Sequence, residues 1–155
     1  MRRVASGEAG FTLIETVAVL AIVAMLAALA LPQWPSGTTR PQLEAYALDI
    51  AALLKADRNA ALRTRGRVAT QLDRVNRQVV SGAGAGEVRL PGDVAFDAIV
   101  AETCSGRANG SAIDFLPSGM SCGGSIALAR PGVAFHVRVN WLTGGVEVVA
   151  ADPPR

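Results

Sequence analysis

Glu15 is the only charged residue between Gly10 and Pro32, in the stretch "GFTLIETVAVLAIVAMLAALALP", and Val17 to Leu31 is apolar throughout. A carboxylate in such surroundings is costly unless a cation comes to meet it. The chemistry it suggests is charge pairing in an apolar medium. The other reactive residue types are sparse. His136 is the only histidine, Cys104 and Cys122 are the only cysteines, and "SGAGAGEV" from Ser81 to Val88 is the one glycine-rich run. His136 has no serine, cysteine or aspartate in an evident triad pattern, so it reads as an ordinary surface histidine and the chain as no enzyme. The two cysteines lack the close further ligands that zinc requires, so no metal and no cofactor is expected. The GAGAGE run precedes a strand where a phosphate cradle would open a helix, so it reads as a flexible loop.

These residues need elements to position them. The 155 residues suffice for one domain and an appendage, and a 50% hydrophobic content supports a real core. Fifteen basic residues are scattered among thirteen acidic ones, for a net charge of +2. Arg130, Arg138 and Arg155 lie towards the C-terminus, but Glu147 and Asp152 fall among them and no aromatic interleaves, so nucleic acid is not an expected partner.

The apolar run, from Phe11 to Leu31, would extend about 30 Å as a helix, the hydrocarbon thickness of a bilayer. Arg2 and Arg3 ahead of it favour a cytoplasmic N-terminus, with everything after Pro32 on the far side. The small-residue junction, Gly10 to Phe11, lies before the apolar run, whereas a secretory signal places its cleavage site after it. Cleavage there leaves the hydrophobic segment as the mature N-terminus.

"PQWPSGTTRP", Pro32 to Pro41, should interrupt the helix. A second helix restarts with Thr39 as N-cap, Gln42 completing a capping box and Pro41 in the first turn. Leu43, Ala47, Ile50, Leu54 and Ala61 form its apolar stripe, Glu44, Lys55 and Arg63 its solvated face, and Gly66 stops it after about Arg65. Beyond Gly66 the period changes to short Val-, Ile- and Phe-rich stretches separated by Gly, Pro, Ser and Asp, an antiparallel pattern of two packed sheets. Alternation in "FHVRVNW" predicts Phe135, Val137, Val139 and Trp141 on one face and His136, Arg138 and Asn140 on the other. "LTGG", Leu142 to Gly145, predicts a hairpin turn.

"GFTLIE" resembles the leader junction of type IV pilins and type II secretion pseudopilins: glycine, phenylalanine, then a glutamate at the fifth mature position, opening a hydrophobic helix. "IDFLPSGMSCGGSIALARPGVAFHVRVNWLTGGVEVV", Ile113 to Val149, is similar to the final region of the GspH/FimT family of minor pseudopilins, and "RNAALRTRGRV", Arg58 to Val68, to that family's helix exit. The proline-rich break departs from an unbroken helical spine. The calcium-site loop of the major pseudopilin is not evident, which argues for a minor subunit.

The resemblance implies an α+β fold: a pilin-type helix, a second amphipathic helix segment and an antiparallel β-sandwich-like domain. It divides the chain into a leader, 1–10, an assembly helix, 11–32, a linker and amphipathic helix, 33–65, and a periplasmic β-rich domain, 66–155. Prepilin peptidase would cut between Gly10 and Phe11 and methylate the Phe11 amine, and Glu15 would pair with the terminal amine of a neighbouring subunit. The implied role is that of a minor type II secretion pseudopilin near the pseudopilus tip, anchored in the bacterial inner membrane by a single pass. Its partners would be the major subunit and the tip minor subunits. The alternative is a FimT/FimU-like minor pilin. In a periplasmic domain Cys104 and Cys122 can oxidise to a disulfide; two buried free thiols are the alternative.

Overall fold

A computed structural model describes residues 12–30 and 37–152. The chain divides into two compact units, Met1–Pro35 and Ser36–Arg155. The first contains α1, Leu13–Ala30. The second opens with α2, Arg40–Thr64, and continues through ten strands.

Thr39 caps α2: its backbone N–H donates to Gln42 Oε1 at 2.8 Å, and Pro41 occupies the first turn, where a missing N–H costs nothing. All five residues expected on the stripe are buried, and Ala51, Leu53 and Ala60 widen it. The helix ends at Thr64, one residue before the expected Arg65. Arg65 takes the left-handed position, at φ 49°, that glycine usually fills.

The strands form two four-stranded antiparallel sheets. In the first, β3 (Glu87–Arg89), β2 (Gln78–Val80), β1 (Val68–Asp73) and β7 (Ala112–Phe115) lie side by side. In the second the order is β10 (Val146–Ala151), β9 (Val133–Val139), β8 (Gly124–Arg130) and β4 (Ala95–Val100). A separate small hairpin, β5 (Thr103–Cys104) with β6 (Arg107–Ala108), was not expected from the sequence. Two-residue strands carry too little alternation to be read.

One core joins α2 to both sheets. Leu43, Ile50 and Leu54 pack with Val79, Ile113 and Phe115 of the first sheet and with Ile126, Leu128 and Val137 of the second. Phe135, Val137 and Val139 face inward as their alternation predicts. Trp141 does not. β9 ends at Val139, and Trp141 sits in the following turn, 62% exposed.

That turn is longer than Leu142–Gly145. Asn140 organises it, its Oδ1 accepting the N–H groups of Leu142 and Thr143 at 2.9 and 3.0 Å. Arg58 of α2 ties it to its neighbour: Nε donates to Gly119 O and Nη2 to Thr143 O, each at 2.9 Å. Gly144 is obligatory at this junction, because φ is +63° and a Cβ would lie 2.0 Å from Gly119 O.

Candidate functional site

Apolar residues surround α1 on every side. Leu13, Ile14, Leu20, Ile22, Met25 and Leu26 are all more than half exposed. A helix that is hydrophobic all round belongs in an apolar medium or a packed bundle. Glu15 lies in its first turn, its N–H bonded to Thr12 O at 3.0 Å, with Thr16 N reaching the same oxygen at 3.3 Å. The first turn's unpaired N–H groups favour an acid there. Among the described residues Glu15 has no cationic partner.

Gly10 and Phe11, the expected cleavage and methylation positions, lie outside the described residues, as do the leader, Pro32 and Arg155. Among the described residues no helix is long and apolar enough to cross a membrane. The 18 residues of α1 rise about 27 Å, and Phe11 and Leu31, which the expected span included, lie outside the described residues.

The remaining reactive residues have structural surroundings. Cys104, in the β5–β6 hairpin, is bridged to Cys122 just before β8, with Cα atoms 5.6 Å apart. His136 is half-buried on the outer face of the second sheet, in a register row with Ala127 and Asp97. It lines a hollow of about 340 Å³ floored by alanines, with Asp97 and Asp152. A larger hollow of about 890 Å³ opens at the end of the same sheet beside Trp141, Arg138 and Glu147. Among the described residues no three His, Cys, Asp or Glu side chains gather as a metal site.

The GAGAGE run is a tethered loop, in contrast to the flexible one expected. Asp57, fully buried on α2, holds it. Its carboxylate accepts from Thr70 Oγ1 at 2.6 Å, Ser81 Oγ at 2.5 Å, Gly82 N at 3.0 Å and Ala83 N at 3.1 Å. Gly82 is required by close approach: a Cβ would stand 2.3 Å from Ala69 O. The sequence signal was present, since Asp57 falls on the apolar stripe between Leu54 and Ala61. A second buried acid, Asp114 of β7, pairs with Arg67 at the entry to β1. That hydrogen bond raises the guanidinium above its ordinary value, against the effect of burial.

Residues 5–31 match the prokaryotic N-terminal methylation motif. A fimbrial protein of Pseudomonas aeruginosa is 42% identical over 55 residues, 36% of this chain and 36% of the relative. The match thus spans about a third of the curated relatives' length. The minor pseudopilin EpsH from the type 2 secretion system of Vibrio cholerae superposes with a TM-score of 0.54 at 13% identity, covering 69% of this chain and 95% of that one. The type IV minor pilin FimU of Pseudomonas aeruginosa gives 0.48 at 13% identity, over 70% of this chain and 96% of its own.

The chain thus carries a prokaryotic N-terminal methylation motif over its apolar helix, and its antiparallel α+β domain has the fold of the minor pseudopilin EpsH.

Proposed function

We propose that the chain is a minor pseudopilin of a type II secretion system, a structural subunit near the tip of a periplasmic pseudopilus that supports export of folded proteins across the outer membrane. Prepilin peptidase removes residues 1–10 and methylates Phe11, and residues 11–32 anchor the subunit in the inner membrane until assembly. The observation that carries the reading is Glu15: a single acid in the first turn of a helix that is otherwise apolar on all sides. In a bundle of such helices, the freed ammonium of Phe11 and the Glu15 carboxylate of the next subunit each remove the other's desolvation cost. Breaking a buried pair of this kind leaves one charge uncompensated, at about 3–5 kcal/mol. The pair thereby sets the register of subunit addition.

A minor pilin of a type IV pilus is the second reading, favoured by the fimbrial relative. Arg138 gives nucleic acid little purchase there, because Glu147 stands directly opposite it on β10.

Co-recovery from detergent-solubilised cells tests both readings. The wild-type chain should come down with the major pseudopilin. Glu15→Leu should be processed normally yet recovered with it at least ten-fold less. Undiminished recovery of the variant would refute the charge pair, and recovery with pilus subunits alone would move the chain to the pilus.

A further inference from the structure

The Cys104–Cys122 bond joins two unequal surroundings. Cys104 is 1% exposed within the β5–β6 hairpin, whereas Cys122 is partly exposed although its neighbours Ser121 and Gly123 are buried. Cys122 also lines the hollow of about 890 Å³ beside Trp141, and Cys104 does not. A volume of that order suits clefts that admit small molecules, about 300–1,000 Å³. Trp141 comes close to this point of the chain: a Cβ on Gly123 would stand 3.2 Å from Trp141 Cβ. An exposed aromatic residue therefore borders the partly open cysteine.

A disulfide is exchanged when a thiolate attacks one of its sulfurs and expels the other, so access decides which sulfur is attacked. Charge does not decide it here. Arg138 and Glu147 stand directly opposite each other on β9 and β10, and both line the hollow. Burial keeps a thiol protonated and so slows its attack on outside reagents. Cys104 is the buried member, and it remains within bonding reach of Cys122, their Cα atoms 5.6 Å apart.

We infer that Cys122 is the sulfur through which this bond is made and exchanged, by a thiol–disulfide couple entering through the hollow beside Trp141, and that Cys104 is the resolving sulfur. In the forming direction the Cys122 thiolate attacks an incoming disulfide, RSSR: a bond from Cys122 Sγ to one SR group forms, and one RS⁻ leaves. Cys104 then loses its proton to solvent and attacks Cys122 Sγ, expelling the second RS⁻. Two protein thiols are oxidised, and one outside disulfide is reduced to two thiols. Breaking the bond runs the same steps in reverse, with the thiol RSH as reductant. The inference stands on the globular unit and does not depend on the proposed role in secretion.

Single-cysteine variants should keep the fold. Cys104 lies outside the main core cluster, and Asn109 ties the base of the hairpin without the bond, its N–H donating to Glu102 O at 2.9 Å and its Nδ2 to Ala112 O at 2.8 Å.

The test uses the full chain in non-ionic detergent with glutathione disulfide as the probe, and intact mass follows the gain of one glutathionyl group. Cys104→Ser, which leaves Cys122 alone, should be labelled at least ten-fold faster than Cys122→Ser. In concentrated urea the two rates should converge, which assigns the difference to the fold. Equal rates in the folded variants, faster labelling of Cys122→Ser, or resistance of both would overturn the inference. The wild-type chain gives a second reading that needs no variant: brief treatment with reduced glutathione, quenched with an alkylating reagent, should yield peptides with glutathione on Cys122 and the alkyl group on Cys104. Glutathione on Cys104 instead, or on both sulfurs equally, would overturn it.

Discussion

Asp57 and Glu15 are acids set among apolar residues, and they resolve that problem differently. Asp57 is satisfied within its own domain by two hydroxyls and two backbone N–H groups. Replacing it with alanine would strand those donors in the core, each costing about 1–3 kcal/mol unless water reaches it. Asp57→Ala should therefore lower stability by roughly 3 kcal/mol, read as a fall in the urea midpoint, and should quicken amide exchange at Gly82 and Ala83. A midpoint within error of wild type would show that the loop is held by other means. Glu15 has no such partners among the described residues, and the proposed assembly role would supply one.

At the level of elements, much was legible because the signals were local. Thr39, Pro41 and Gln42 announce the start of α2, and 3.6-residue periodicity fixes its buried stripe. Eight of the ten strands lie within apolar runs bounded by turn residues. What was missed depends on partners distant in sequence, as in the tether from Asp57 to the glycine loop and the Arg58 tie between two turns, or on strands as short as the two-residue pair of the β5–β6 hairpin. Trp141 was misplaced because alternation was carried past the point where Asn140 turns the chain.

The start of α2 is also fastened from outside the helix. Thr38 donates to Asp93 through its backbone N–H and through Oγ1, the latter at 2.9 Å. These bonds, with a weaker contribution from Arg130, hold the Asp93 carboxyl below the usual carboxylate range. A depressed native pKa stabilises the fold above the unfolded value, near 4, and that contribution is lost as pH falls through the native value. Asp73 behaves alike, its pKa lowered first by the Asn76 backbone N–H and then by the Asn76 side chain. Thermal melts should therefore show stability falling as the pH drops below about 4, with a shallower fall in Asp93→Asn. An Asp93→Asn profile parallel to wild type would remove Asp93 from the acid response.

The whole molecule sets a self-sufficient globular unit against an N-terminal helix that is not self-sufficient. The core is complete within residues 43–148, whereas α1 leaves its apolar side chains uncovered. Only a bilayer or like helices can cover a surface apolar on every side, and one acid in its first turn requires a cation at matching depth. The source proposed for that cation is a new amino terminus made by cutting before Phe11. Intact-mass and fragment-ion spectrometry of the chain, purified from cells that contain prepilin peptidase, examines this directly. The account predicts a mature chain beginning at N-methylated Phe11. A chain retaining Met1–Gly10, or cut anywhere else, would contradict it.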